Sequence, residues 1–317
     1  MSASTVAVGV DVGGTKILSG LVGGDGVVHA IDRRDTPADG RELVDTIMRA
    51  VEALCDGGDC ASTPVGCGFP ALVTRAGVTR YGPNIGLTEF PLREQLMTRL
   101  GSPHVAVDND ASAATWAEFK VGAGRDVRDT MALFTLGTGV GGGLIIAGQL
   151  HRGANGFAGE LGHMVLQAGG QAGPSGVDGE LEAYSSGTAM ERMASQARAD
   201  GRFVGTVLDG DTTPTGEEVT KAAMNGVQPA VDILATMGRY LGIGCAVVVN
   251  AVDPELIVIG GGAAAAGDLI LQPAREALGQ HILGRRYRPE VPIIAAQLGN
   301  QAGMVGAALL ALERREG

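Results

Sequence analysis

Apolar residues in this chain run in short blocks that end in glycine. Residues 6–12 (VAVGVDV) are apolar around Asp11 and stop at Gly13-Gly14. ILSGLV and VVHAIDRR follow after short turns, a pattern that predicts an antiparallel meander. Residues 42–55 show helical periodicity. PVGCGF and HVAVDND then read as buried strands, with a helical LREQLMTRL between them and a helix starting at Asp110 or Ala111 after them. The order recurs in the second half. TMALFTLGTGVGGGLIIAG is again strand, glycine turn, strand; helical stretches follow over about 180–200 and 216–250. ELIVIGGGAAAAG and VPIIAAQ supply two more strands, and AGMVGAALLALERRE closes the chain as a helix. Residues 201–217 read as a surface loop. This is an α/β chain whose two halves echo each other without a strict repeat.

The glycine content sharpens this picture. Fifty-two of 317 residues are glycine, about twice the usual share. Runs of glycine without Pro or Ser bias point to tight turns and close approach of backbone to ligand. The net charge of −11 and the absence of a basic cluster exclude a nucleic-acid partner; anions can still bind at backbone N–H groups. The four cysteines show no CxxC spacing and are expected as free thiols without a structural disulfide. The N-terminus lacks a basic, apolar leader, and no run of about 18 apolar residues stands out. A cytoplasmic protein with no membrane contact is expected.

Three glycine turns carry candidate chemistry. Asp11-Val12-Gly13-Gly14-Thr15-Lys16 lies between two strands; its glycines admit a phosphate, and Asp11 suits a hydrated Mg²⁺. The alternative is a tight hairpin with an exposed lysine. Gly137-Thr138-Gly139-Val140-Gly141-Gly142 satisfies GxGxxG, but the strand-like LIIAG follows where a dinucleotide site needs a helix. A second phosphate hairpin is the better reading. Gly260-Gly261-Gly262 can pass under a flat adenine or pack against a neighbouring strand. Among polar groups, Asp110 stands where a strand becomes a helix, placed either as a general base or as a helix cap, with Asp108 and Asn109 as alternative caps. Glu160 and His163 sit together in a loop, Glu182 opens a helix, and Asn84 lies in a turn.

These pieces in this order resemble the ROK family of sugar kinases, within the actin/hexokinase-like ATPases. The matching segments are DVGGTK at 11–16, PN at 83–84, DNDASAA at 108–114, LGTGVGGG at 136–143, ELGH at 160–163, ELEAYSSG at 180–187, IGGG at 259–262 and AGMVGAA at 302–308. The resemblance implies a two-domain actin/hexokinase-like (ribonuclease H-like) fold with an interdomain cleft. Residues 1–111 plus 303–317 would form the small N-terminal domain and 112–302 the larger C-terminal one. It implies an ATP-dependent kinase acting on a hydroxyl, the primary one, of a hexose such as glucose. Asp110 would be the catalytic base, and Asn84, Asn109, Asp110, Glu160, His163 and Glu182 would bind the sugar. ATP would lie on Asp11, Gly13, Gly14, Thr15, Lys16, Gly137, Thr138, Gly139, Gly260, Gly261 and Gly262, with Mg²⁺ held by Asp11 through water. A homodimer or homotetramer is expected. The rivals are a kinase of a cyclitol or other modified sugar, polyphosphate as donor, and a non-catalytic sugar sensor; the early start of the first motif leaves no room for the DNA-binding domain of the family's repressors.

The chain also departs from the pattern. Many such kinases carry a CxCGxxGC zinc loop whose fourth ligand is the histidine of the GH motif. Here the three cysteine positions fall on Gly173, Ser175 and Glu180, so no structural zinc is expected. Glu180 would instead accept a hydrogen bond from His163. Pro70-Ala71 replaces the family's Pro-Gly, and Leu87 stands where an aromatic residue is common.

Overall fold

A computed structural model describes residues 5–55, 60–82 and 87–316. The elements in chain order are β1 (Val6–Val12), β2 (Lys16–Gly23), β3 (Val28–Asp35), α1 (Gly40–Cys55), β4 (Val65–Phe69), β5 (Leu72–Val73), β6 (Thr79–Tyr81), α2 (Leu92–Leu100), β7 (Val105–Asn109), α3 (Asp110–Val121), β8 (Met131–Leu136), β9 (Val140–Ile146) and β10 (Gln149–Leu150). Then come α4 (Glu182–Ser185), α5 (Gly187–Ala199), α6 (Gly216–Met224), α7 (Gln228–Val252), β11 (Leu256–Gly260), α8 (Asp268–His281), β12 (Ile293–Ala295) and α9 (Ala302–Glu316). The longer strands and most helices fall where the hydrophobic pattern placed them; the short strands β5, β6 and β10 and the helix α8 had no counterpart in that reading.

Two compact units form. The first holds residues 1–126, 143–159 and 297–317, the second 127–142 and 160–296. The sequence put the boundaries at 111/112 and 302/303. In the structure the chain leaves the first unit only after Asp126, because α3 packs on α9 within it.

The first unit is built on the sheet β3-β2-β1-β4-β7. The meander β1–β2–β3 is antiparallel, while β1, β4 and β7 run parallel, so Asp11, Gly68 and Asp108 share one register at the carboxyl ends of three strands. Strands buried on both faces need small or β-branched residues and helices on each side. Leu43, Ile47 and Val51 of α1 and Leu92 and Leu96 of α2 join Val8, Val10, Val65, Phe69 and Val105 in one core. On α9 the contact is backbone to backbone. A Cβ on Gly9 would lie 1.9 Å from the Met304 carbonyl oxygen, and one on Gly66 would lie 1.8 Å from that of Ala307. A Cβ on Gly306 of α9 would lie 1.8 Å from the Ala113 carbonyl of α3. Buried Glu118 of α3 fastens the approach to α9 by accepting the N–H groups of Gln297 (3.1 Å) and Leu298 (2.8 Å), as well as Ala123 (2.7 Å).

In the second unit β8, β11 and β12 pair in parallel. The strand β9 starts beside β8 and runs on into the first unit, where Ile145 and Ile146 pair with β10. Helices α7 and α8 approach closely: a Cβ on Gly238 would meet the Ile270 carbonyl at 2.3 Å, and one on Gly242 that of Ala274 at 2.2 Å. The 25 residues of α7 are long and apolar enough to cross a membrane by length and composition, contrary to the sequence reading. They serve as a core helix here, with Ile233, Leu234, Met237, Leu241 and Cys245 all buried. A second correction concerns cysteine. Cys55, at the end of α1, is bonded to Cys60, their Cα atoms 5.7 Å apart, a separation that suits a bridge; Cys67 and Cys245 are free and buried.

The glycine contacts under α9 yield a stability prediction. Gly66→Ala forces a methyl into a backbone carbonyl that no rotamer change can move. It should lower stability by about 1–3 kcal/mol or more, read as a fall in Tm with far-UV circular dichroism. A Tm equal to wild type would show that α9 does not sit at backbone contact with β4.

Candidate active site

The first group of candidate residues gathers around Gly68, at the carboxyl ends of β1, β4 and β7. Strand ends of this kind are where open α/β sheets present functional groups. Asp11 ends β1, and its Oδ1 lies 3.8 Å from where a Gly68 Cβ would be; the Cα of Asp110, the first residue of α3, lies 3.3 Å from the same point. The Asp11 carboxylate also rests against Gly303 at the start of α9, where a Cβ would come within 2.5 Å of Oδ2. Both carboxyl groups are half-buried in accessible area but densely surrounded by protein. Burial, with the Asp110 charge second, pushes Asp11 from the ordinary 3.8 to about 7. Burial also raises Asp110, against the pull of backbone N–H groups at its own helix end. One of those is Ala111 N–H, 2.8 Å from Oδ1.

Asn109, not Asp110, caps α3. Its Oδ1 accepts the Ser112 N–H at 2.9 Å, and its Nδ2 donates to the Ala71 carbonyl at 3.3 Å. One amide hydrogen remains for a ligand. Asp108 turns away into an ion pair with Arg152 (2.7 Å). The turn after β1 is closed by Gly13 N–H donating to Lys16 O (2.9 Å) and held by Thr36, whose hydroxyl donates to Gly13 O (2.7 Å) and whose N–H donates to Thr15 O (3.0 Å). Gly14 has open space on its side-chain face, so a bulky anion can approach its backbone. Lys16 is exposed and paired with Asp35. Asn84 lies outside the described residues.

The second group lies in the second unit. The 137–139 turn is tied to the N-terminus of α5: Gly187 N–H donates to Gly137 O (2.8 Å), and both the N–H and hydroxyl of Thr188 donate to Thr138 O. Glu182 accepts the Val140 N–H at 2.6 Å, and a Cβ on Gly139 would come within 2.3 Å of its carboxylate. Glu182 therefore braces the second glycine hairpin with one oxygen. Gly261 has φ 85° and lies flat against Leu136, whose backbone atoms would sit 2.4–2.6 Å from a Cβ; Gly262 is open. His163 ends a short 3-10 turn that Glu160 precedes. Its Nδ1 is 2.8 Å from the Glu180 carboxylate and its Nε2 is 3.9 Å from that of Glu160. Desolvation opposes the charged ring, but Glu180, Glu182 and Glu160 outweigh it and raise His163 above its ordinary 6.5.

A separate cavity lies elsewhere in the first unit. It is about 530 Å³, lined by Arg75, Asp108, Arg152 and Arg314 among others, and contains none of the candidate residues. The close contacts of Gly68 and Gly303 and the hydrogen bonds of Thr188 were not found from the sequence. Each depends on a neighbour distant along the chain. For Gly303 the only signal was its place in the AGMVGAA segment.

The ROK family profile matches residues 7–314. The chain belongs to the ROK family. A glucokinase of Streptomyces coelicolor is 40% identical over 314 residues, 97% of this chain and 98% of its own. The structure of a ROK family glucokinase from Streptomyces griseus in complex with glucose and AMPPNP is similar at a TM-score of 0.87. It has 37% identity and covers 98% of this chain and 100% of its own. An inorganic polyphosphate/ATP-glucomannokinase from Arthrobacter is similar at a TM-score of 0.64 with 26% identity, covering 99% of both chains. The fold is thus the actin/hexokinase-like α/β fold of ROK proteins. Its candidate residues form one carboxylate group at the strand ends of the first unit and one Glu–His–Glu group in the second.

The carboxylate group has a measurable pH signature. A folded Asp11 that holds its proton up to about 7, against 3.8 unfolded, binds more protons in the native state across that window. Its contribution to stability is fully present below 3.8 and is lost as pH rises through about 7. Asp11→Asn should remove that slope in Tm against pH, measured without nucleotide or metal. Identical slopes in variant and wild type would contradict the burial of this carboxyl group.

Proposed function

We propose that the protein transfers the terminal phosphoryl group of ATP to the primary hydroxyl of a hexose, with Asp110 as the base. The observation that carries this reading is the desolvated carboxylate of Asp110 at the carboxyl end of a parallel sheet, in a chain related to glucokinases along almost its whole length. The chain is a sugar kinase, a phosphotransferase with an alcohol acceptor. Phosphoryl transfer is mostly positioning and charge neutralisation. A carboxylate lifted above its ordinary range by burial is a stronger base towards a hydroxyl.

The remaining groups take roles that suit their geometry. Asn84, the free amide hydrogen of Asn109, Glu160, His163 and Glu182 bind hydroxyls. The open face of Gly14, with Gly13 and Thr15, receives phosphate oxygens, as does the Gly137–Gly139 turn. Gly260–Gly262 lies under the adenosine end. Lys16 needs only to exchange its exposed partner Asp35 to reach an anion. Asp11 suits Mg²⁺ that keeps most of its waters, and such an ion would supply charge neutralisation at the phosphates. A cytoplasmic setting, where ATP is abundant, fits this reading.

Glucose is the first-choice substrate, since the Streptomyces griseus relative was solved with glucose and a nucleotide. A cyclitol or modified sugar is the second reading. It rests on Ala71, whose carbonyl holds Asn109 and whose side chain is buried where a glycine would leave space. A coupled assay of nucleotide consumption across glucose, mannose, N-acetylmannosamine, inositols and carbocyclic sugars, with ATP or polyphosphate as donor, decides between them. The account expects glucose with ATP to give the highest kcat/KM. Turnover confined to cyclitols would replace glucose, and no turnover with any acceptor would sink the kinase reading.

A further inference from the structure

Glu180 is fully buried, yet its carboxylate meets a half-exposed histidine. Its Oε2 lies 2.8 Å from His163 Nδ1 and accepts the Ser175 hydroxyl at 2.7 Å; its Oε1 lies 3.3 Å from Ser175 N–H. A buried carboxylate is tolerated only when its lone pairs are filled, and here three donors fill them. Space for it comes from a missing side chain: a Cβ on Gly173 would lie 2.0 Å from Glu180 Oε1. Glycine at 173, serine at 175 and glutamate at 180 are therefore one device. The first admits the carboxylate, the second satisfies it, and the third holds the ring.

These three positions are those where the family resemblance calls for cysteine ligands of a zinc ion. The residues present do not fit that ion. A tetrahedral structural site uses thiolates and imidazoles, whereas this loop offers one imidazole nitrogen, one carboxylate and a hydroxyl. No group of three or more His, Cys, Asp or Glu able to hold a metal occurs among the described residues.

We propose that Gly173, Ser175 and Glu180 form a metal-free clamp in which Glu180 is the positioning residue that fixes His163. The clamp pins the proton-bearing Nδ1 and leaves Nε2, on the Glu160 side, as the edge that meets substrate. This deepens the sugar-kinase reading and rests on His163 being a substrate contact. Hydrogen bonds from Ser175 and His163 hold Glu180 below the usual carboxylate range, against the upward push of burial. The pair is thus ionised on both sides over a window bounded below by the depressed Glu180 and above by the raised His163. Glu160 and Glu182 also face the ring and add to its upward shift.

The test uses the full-length protein. Metal analysis of the wild type should find zinc far below one equivalent, and treatment with a chelator should leave the Tm unchanged. The His163 ring, assigned with His163→Gln, is then titrated by NMR in wild type, Glu180→Gln and Gly173→Ala. The expected result is a midpoint above 6.5 in wild type that falls in Glu180→Gln. Gly173→Ala, which displaces the carboxylate with every polar group retained, should move it the same way. The sugar KM should rise by about 10–100-fold in both, the range expected when a hydrogen bond to a charged group that orients a binding residue is lost, with kcat changed less. Ser175→Ala should give a smaller shift in the same direction and serves if either of the others fails to fold. One equivalent of zinc whose removal unfolds the loop would overturn the clamp, as would an unchanged His163 titration in all folded variants. Titration and metal content need no substrate, so a wild type inactive on every sugar would sink the kinase reading without deciding this one.

Discussion

The first unit depends on bringing two carboxyl groups to the same place in a buried sheet. Asp11 and Asp110 both approach Gly68, where a Cβ would already touch the Asp110 Cα at 3.3 Å and Asp11 Oδ1 at 3.8 Å, so a larger side chain would displace them. The close seat of α9 on Gly9 and Gly66, and of α3 on Gly306, sets where α3 begins and hence where Asp110 stands. The outcome is electrostatic. Burial lifts both acids above their ordinary range, and the charge of Asp110 adds to the shift of Asp11.

The second unit solves a different problem with similar means. Its polar residues lie on loops and short helical turns, and such segments need bracing if they are to present groups in fixed positions. Glu182 ties the glycine hairpin by one backbone N–H, the N-terminus of α5 holds the same hairpin's carbonyls, and Glu180 holds His163. Each brace pairs a side chain with a glycine that makes room for it. The high glycine content thus reflects close approach more than flexibility. Gly139 beside Glu182 and Gly173 beside Glu180 are the clearest cases.

Much of this was legible in the sequence. The strands ending in glycine, the helix opening at Asp110 and the segments carrying the ROK resemblance all gave their places along the chain. The alignment of Glu180 with a missing ligand also anticipated its contact with His163. What escaped was set partly by partners far away in sequence. The helix α8 buries Ile270, Leu271, Ala274, Ala277 and Leu278 at helical spacing, but Pro273 inside it reads as a helix breaker. The assignment of α3 to the first unit follows from Gly306 and Glu118, whose partners lie nearly two hundred residues apart. Asn109 read equally as ligand or cap, and only the position of Ser112 N–H shows the cap. The bonded pair Cys55–Cys60 is close along the chain but has no CxxC spacing to mark it. The apolar α7 shows the limit of composition, since burial against α8 accounts for a run that length alone would send to a membrane.

The central claim is that Asp110 acts on the proton of the acceptor hydroxyl. The most direct measurement sets turnover against binding in Asp110→Asn, using calorimetry for glucose and a coupled assay for ATP consumption. Loss of general-base catalysis predicts a fall in kcat of about 10²–10⁴-fold with glucose binding retained. Full turnover in the variant would contradict the account, and so would a loss of turnover traced wholly to lost glucose binding.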